Sequence, residues 1–237
     1  MDKQEWGMNV LYEDFIEMAD KNADEKYREF SIKLTPGIGK NAGVRTPVLK
    51  KFAREAAKGD WESFFSECRN ELYEERLVRG LIICYIKADI EKRLGLLREF
   101  IPLIDNWALC DIVCCAFKFK NGESGRVFEF VKQYMEKNGE FEKRFAVVML
   151  LSHFIDDEHI DEVLELLNNI DDSRFYVSMA AAWALSMCYI KYEDRTAELL
   201  KNGKPDRETV NRAILKIIQS RRAADDAKNR ARSYRIG

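Results

Sequence analysis

The chain has 237 residues, of which 46% are hydrophobic and 34% charged, a balance that is typical of globular proteins and excludes a disordered one. It has only 12 glycines and 4 prolines, which favours helices over a β-sandwich or barrel. The net charge is −2, yet residues 26–58 carry +7 and residues 204–237 carry +6. A bound polyanion would explain these two basic segments, and so would ordinary solvated helix faces.

The sequence carries no membrane or targeting signal. Its longest apolar stretches, such as residues 145–151, are far shorter than the roughly 20 residues of a spanning helix. Residues 1–20 lack a basic start followed by an apolar run, so we expect no signal peptide and a cytoplasmic protein. The six cysteines lie in apolar helical patterns without a Cys-x-x-Cys pair, and they indicate reduced core residues rather than disulfides. We expect no metal site and no cofactor.

Apolar residues recur at helical spacing along most of the chain and predict about fourteen helices. In the N-terminal half they are expected at residues 10–18, 23–34, 47–58, 61–69, 71–86, 90–100 and 106–118. In the C-terminal half they are expected at residues 124–137, 141–154, 159–167, 173–189, 192–200 and 207–220, before a basic tail helix. Thr46 and Asp105 are the expected N-caps of the third and seventh helices, and the glycine-rich segment 36–43 predicts a loop.

Short helices joined by polar turns are typical of antiparallel pairs that stack along an axis. Trp107, Arg144, Trp183 and Arg221 follow one another at intervals of 37, 39 and 38 residues, close to the period of HEAT-type repeats. We therefore predict an all-α superhelical stack of helix pairs, a HEAT-like or armadillo-type α-solenoid. It would form a single domain over residues 1–237 with a basic C-terminal helix and a concave surface. A compact orthogonal helix bundle is the alternative.

Three segments carry the residues most suited to chemistry. Asp111 interrupts the apolar run 104–115 and lies one helical turn after Trp107. Arg144 begins a strongly apolar helix, and Trp183 is a single large ring among alanines. Each residue has a structural explanation, because Asp111 and Arg144 would also serve as an ion pair and both tryptophans as core residues. An acid, an arginine and two tryptophans on one inner face together favour a functional site.

These segments resemble the AlkD-like DNA alkylation repair family, whose members are HEAT-like repeat DNA glycosylases. The resemblance covers nearly the whole chain and is carried by residues 43–47, 105–107 with Asp111, 143–144, 182–184 and 211–222. It implies a DNA-binding concave surface and, in active members, excision of N3- or N7-alkylated purines. By position, Asp111 matches the catalytic aspartate of the family. Trp107 and Trp183 match its aromatic cleft residues, and Arg144 matches its phosphate-contacting arginine.

The resemblance and the basic segments together predict the residues that bind DNA: Arg45, Lys143, Arg144, Lys216, Arg221 and Arg222. The predicted partner is alkylated or distorted double-stranded DNA, bound by a monomer. Alkylation at purine N3 or N7 makes the base a cationic leaving group, and breaking its bond leaves an oxocarbenium-like sugar. A carboxylate and aromatic faces stabilise such cations without a metal or cofactor. Enzymes of this kind ordinarily extrude the base into a pocket, although a shallow cleft would suffice for labile lesions.

Two other functions remain open. Residues 35–43 form a short glycine-rich loop where active relatives carry a helical element that meets the DNA. This departure favours a non-catalytic HEAT-repeat protein of the same family that binds DNA without excising bases. The acidic middle of the chain, with eight Asp or Glu residues within residues 156–172, favours a protein-interaction scaffold instead.

Overall fold

The computed structural model describes residues 10–235 and has an all-α architecture, which confirms the predicted fold class. The described chain is 72% helical, with 14 α-helices and no strand. It forms two compact units that meet in sequence after Glu123. The single domain over residues 1–237 stays a prediction. Residues 1–20 were expected to contain no signal peptide, and residues 1–9 of this segment lie outside the described residues. No helix between residues 10 and 235 is long and apolar enough to cross a membrane.

The first unit contains seven α-helices and two single 3₁₀ turns, at Ile101–Leu103 and Asn121–Glu123. The helices are α1 (Tyr12–Asn22), α2 (Glu25–Leu34), α3 (Thr46–Ala56), α4 (Trp61–Glu67), α5 (Tyr73–Tyr85), α6 (Ile90–Phe100) and α7 (Trp107–Ala116). Helix α3 packs on α5, and α5 packs on α7, so alternate helices form one layer. Helix α6 covers α5 from the other layer, and α1 contacts α4. This is the two-layered packing of helical repeats.

The second unit repeats this arrangement. Its helices are α8 (Ser124–Met135), α9 (Glu140–His153), α10 (Ile160–Asn168), α11 (Phe175–Lys191), α12 (Glu193–Asn202), α13 (Arg207–Gln219) and α14 (Asp225–Ser233). Helices α9, α11 and α13 form one layer, and α8, α10, α12 and α14 pack against it from the other side. Helix α11 buries four alanines beside Trp183, and these small side chains let α9 and α13 approach it closely.

The close contact of α5 with α7 depends on Gly80, which has no side chain. A Cβ atom at Gly80 would lie 2.6 Å from both the Phe100 ring and Val113, so only glycine fits at this point of α5. Elsewhere in the unit, the rings of Phe15, Phe52 and Phe64 pack with centroids 5.8–6.1 Å apart in a fully buried cluster. Truncating one such ring to alanine costs about 3–5 kcal/mol. The first unit therefore has a well-packed core.

Some local expectations were wrong. The N-cap of α7 is Asn106 rather than Asp105, and the N-cap of α3 is Arg45 rather than Thr46, which already belongs to the helix. Asp105 and Arg45 both precede their helices, and each makes an ion pair with a residue distant in sequence, Asp105 with Arg76 and Arg45 with Asp24. Five of the six free cysteines are buried as predicted, but Cys115 is exposed because it lies on the outer side of α7.

Candidate active site

Helix α7 presents the first two candidate residues. Asn106, which is fully buried, caps the helix by accepting a 2.9 Å hydrogen bond from the Leu109 backbone N–H. Trp107 follows as the first helical residue, and Asp111 lies one turn later on the same face. Both side chains are partly exposed, as a pair that contacts a ligand must be. The pKa of the Cys114 thiol is raised mainly by burial and also by the neighbouring Cys110 and Asp111, so this thiol stays neutral.

A buried arginine fixes the start of α7. Arg76 on α5 is 8% exposed, and its Nη2 lies 3.0 Å from Oδ2 of Asp105. The other oxygen of Asp105 accepts a 2.7 Å hydrogen bond from Asn106 Nδ2, so the ion pair orients the cap itself. Arg76 also donates to the carbonyls of Asn70 and Glu71, at 3.0 and 3.2 Å. The planar fork of five donors makes this possible for arginine and not for lysine.

A second buried arginine fixes the other end of α7. Arg93 on α6 donates to the last carbonyls of α5, at Ile83 and Cys84, both at 3.2 Å. It also donates at 2.7 Å to the carbonyl of Lys118, which follows α7, and lies over the Phe117 ring at 4.3 Å. Carbonyls at a helix C-terminus lack intrahelical partners, and a cation satisfies them well. Trp107 and Asp111 therefore lie on a helix held at both ends.

The loop between α2 and α3 is irregular but well held. The buried carboxylate of Glu74 accepts hydrogen bonds of 3.0–3.1 Å from the backbone N–H groups of Ala42, Gly43 and Val44. Gly43 has φ of +79°, and a Cβ there would lie 2.4 Å from the Asp24 carbonyl, so the loop passes tightly against the start of α2. The loop contains no helix, as predicted, yet its backbone is fixed by α5.

Arg45, the first predicted DNA-binding residue, belongs to this region. It pairs with Asp24 at 3.0 Å and lies over the Tyr27 ring at 4.8 Å, while its side chain stays largely exposed. The pKa of Asp24 is lowered mainly by the hydrogen bond from the Tyr27 backbone N–H and also by the hydrogen bond from Arg45. Trp107 lines a cavity of about 170 Å³ together with Tyr27 and other residues of α2, so this part of the first unit faces α7 across an open space.

In the second unit, two predicted DNA contacts are engaged inside the protein. Arg144 on α9 is 5% exposed and donates a 2.7 Å hydrogen bond to the Tyr176 carbonyl in the first turn of α11. The Lys143 ammonium lies 3.4 Å from the Asp172 carboxylate. The pKa of Asp172 is lowered to about 2, mainly by the hydrogen bond from Arg174 and also by the charge of Lys143. These contacts tie α9 to the start of α11, and any phosphate contact by Lys143 competes with its ion pair.

The remaining candidates differ in exposure. Trp183 is half-buried on α11, and Lys216 is half-buried on α13. Arg221 and Arg222 are exposed in the turn between α13 and α14, where a phosphate can reach them. Within residues 10–235, no group of three or more His, Cys, Asp or Glu side chains is placed to hold a metal ion. The structure thus groups the candidates by unit, with Trp107, Asp111 and Arg45 in the first and the others in the second.

A model of one protein family, described as DNA alkylation repair enzyme, matches residues 11–224. The chain belongs to this family. The match agrees with the resemblance drawn from the motif residues, and membership implies DNA as the partner. Comparisons with curated proteins and with solved structures found no match.

Two residues that support Trp107, Asp111 and the neighbouring loop were not predicted from the sequence. Glu74 and Arg76, which hold the loop and the cap of α7, act through long-range contacts. One local signal pointed to them: three consecutive charged residues occupy positions 74–76 at the start of a mostly apolar helix. Buried charges are costly unless they are paired, so such a cluster indicates a structural network.

Proposed function

We propose that this protein is a monofunctional DNA glycosylase that excises N3- or N7-alkylated purines from duplex DNA. The observation that carries the proposal is the pairing of Asp111 with Trp107 on one face of α7. Both are partly exposed, and the helix is fixed at its two ends by Arg76 and Arg93. Family membership supplies the context of alkylation damage. A carboxylate whose position does not change during the reaction stabilises developing charge without reorganisation.

The chemistry requires little else. An alkylated purine leaves as a neutral base, and the electron pair of the glycosidic bond departs with it, so positive charge develops on the sugar. The Asp111 carboxylate stabilises this charge and positions the water that attacks C1′, taking part in removal of its proton. The Trp107 indole offers a π face to the cationic nucleotide. Trp183 is proposed as a further aromatic contact to the DNA, and the exposed Arg221 and Arg222 as phosphate contacts.

The test is chromatographic detection of free 3-methyladenine and 7-methylguanine after incubation with methylated duplex DNA. We expect release by the intact protein and a rate about 100-fold lower for Asp111→Asn, the size of effect found when one electrostatic stabiliser is removed. Asp20→Asn, a change of an exposed carboxylate on α1, is the matched control and should release bases at the intact rate. Equal release by Asp111→Asn and the control would refute the role of Asp111.

A second candidate is a DNA-binding protein of the same family that performs no excision. The irregular backbone between α2 and α3 favours it, because residues 36–45 contribute no helix to a DNA interface. Salt-sensitive DNA binding without release of any base would select this candidate. Failure to bind DNA at low salt would contradict both proposals and favour a protein-interaction scaffold.

A further inference from the structure

A second pocket, of about 660 Å³, lies where helices α3, α5 and α7 end. All of its lining residues belong to the first unit, and its volume falls in the range of about 300–1,000 Å³ that is typical of small-molecule sites. Ala116, which lines it, is the last residue of α7, whereas Trp107 is the first. At 1.5 Å per residue the two are roughly 14 Å apart along the helix axis. The pocket is therefore separate from the candidate active site.

The lining of this pocket carries one sign of charge. Among the described residues its charged side chains are four exposed cations and no carboxylate: Arg54, Lys58, Lys87 and Lys118. Lys58 pairs with Glu55 at 2.7 Å, whereas neither Lys87 nor Lys118 makes an ion pair with a described residue. A cleft lined by charges of one sign concentrates ligands of the opposite sign. The pocket therefore favours an anion.

The carboxylates that neighbour these segments in sequence are engaged elsewhere. Asp60 caps α4 by accepting a 3.0 Å hydrogen bond from the Ser63 backbone N–H. Asp89 caps α6 in the same way, and Glu62 pairs with Lys92 at 3.0 Å. Each of these contacts lies outside the pocket lining. They leave the cations of the pocket available to a ligand.

Helix capping does not account for the two unpaired lysines. Cations are favoured at a helix C-terminus because its last carbonyls lack intrahelical partners. Arg93 already donates to the last carbonyls of α5 and to the carbonyl of Lys118 beyond α7. The side chains of Lys87 and Lys118 therefore add positive charge at a point where the backbone is already satisfied.

Two aromatic rings complete the wall of the pocket. Trp61 and Tyr85 line it and are half-buried. The Arg54 guanidinium lies over the Tyr85 ring at 5.0 Å and donates one long hydrogen bond, 3.4 Å, to the Lys50 carbonyl. A guanidinium stacked on a ring keeps the N–H groups along its edge available to a phosphate. Aromatic side chains in a basic groove provide stacking surface for nucleobases.

We propose that this pocket binds a nucleoside 5′-phosphate. The base stacks against Trp61 and Tyr85, and the phosphate lies among Arg54, Lys87 and Lys118. An aromatic wall beside unpaired cations matches the two parts of a nucleotide. A free mononucleotide and the 5′-phosphorylated end of a DNA strand both offer this chemistry. The inference goes beyond the proposed function, because it uses no residue of the candidate active site.

Equilibrium dialysis with adenosine 5′-monophosphate tests the pocket without requiring catalysis. We expect the intact protein to bind this nucleotide at least about tenfold more tightly than adenosine or inorganic phosphate. The double variant Lys87→Gln/Lys118→Gln should weaken nucleotide binding about five- to tenfold, because two exposed charge contacts are lost. The matched control Lys21→Gln/Lys33→Gln removes the same charge from exposed positions on α1 and α2 and should bind normally.

A separate variant tests the aromatic wall. Trp61→Leu should weaken nucleotide binding about tenfold and leave the weaker binding of inorganic phosphate unchanged, because only the base stacks on the ring. Circular dichroism checks that each variant is folded. The exposed lysine variants keep the inference testable even if Trp61→Leu does not fold.

A single-stranded oligonucleotide, with and without a 5′-phosphate, distinguishes the two sources of the ligand. A 5′-phosphate that strengthens binding to the intact protein but not to Lys87→Gln/Lys118→Gln would identify the end of a strand. Nucleotide binding without any such effect would identify a free mononucleotide.

Three results would overturn the inference. They are inorganic phosphate binding as tightly as the nucleotide, equal losses in the two double variants, and no nucleotide binding together with no effect of the 5′-phosphate. None of these measurements depends on base release, so the glycosylase proposal is tested separately.

Discussion

Replacing Arg76 with methionine tests whether the buried ion pair holds α7 in place. The side chain makes four hydrogen bonds, two at 3.0 Å and the others at 3.2 and 3.4 Å. Hydrogen bonds to a charged group are each worth about 1.5–3 kcal/mol. Much of this sum is offset because the guanidinium no longer has to be desolvated, and because Asp105, about half exposed, returns to water. We expect Arg76→Met to lower the free energy of unfolding by about 2–4 kcal/mol.

The matched control is Arg79→Met on the same helix. Arg79 makes a 3.4 Å hydrogen bond to the Phe65 carbonyl and lies over that ring at 4.7 Å. Its loss should cost about 1 kcal/mol. Urea unfolding followed by circular dichroism measures both variants. Base release at a temperature where both remain folded should fall about tenfold only in Arg76→Met, because displacement of a catalytic group costs rate. Equal destabilisation by the two variants, or normal release by Arg76→Met, would refute this reasoning.

Thiol reactivity, acid stability and salt-dependent DNA binding test other parts of the structure. Burial raises the pKa of Cys84 to about 12, so a thiol reagent at pH 7 should react rapidly only with exposed Cys115, and a second fast thiol would contradict this. The arginine and lysine beside Asp172 lower its pKa to about 2. Its contribution to stability is thus present above about pH 4 and lost toward pH 2, and Asp172→Asn should flatten the pH dependence of Tm in that range. Arg221→Gln should reduce the slope of log Kd against log salt by about 1, and an unchanged slope would contradict a phosphate contact by Arg221.

Most helices were predictable because their signals are local. The periodicity of apolar residues placed α6 at residues 90–100, where the structure has it, and Asp89 caps its first turn by accepting from Lys92 N–H. Helix ends elsewhere differ from the predicted ones by at most four residues. The predicted N-caps of α3 and α7 were wrong for a different reason. Asp105 pairs with Arg76, which lies 29 residues earlier in the chain, and Arg45 pairs with Asp24. A contact at that separation leaves no trace in the local pattern.

The candidate site was predictable in part for the same reason. Trp107 and Asp111 lie one turn apart on a helix, so their shared face follows from spacing alone. The surroundings of Lys143 do not, because Asp172 reaches it from a distant turn, and its role as a phosphate contact stays a prediction. The cavity between α2 and α7 arises from tertiary packing. Such features are visible only when elements distant in sequence are placed together.

The most direct test of the central claim is a single-turnover measurement on a duplex that carries one 7-methylguanine. Enzyme in excess over DNA separates the chemical step from product release. The account predicts that Asp111→Asn binds this duplex with unchanged affinity and releases the base about 100-fold more slowly than the intact protein. Release by Asp111→Asn at the intact rate would contradict the assignment of the carboxylate on α7 as the catalytic group.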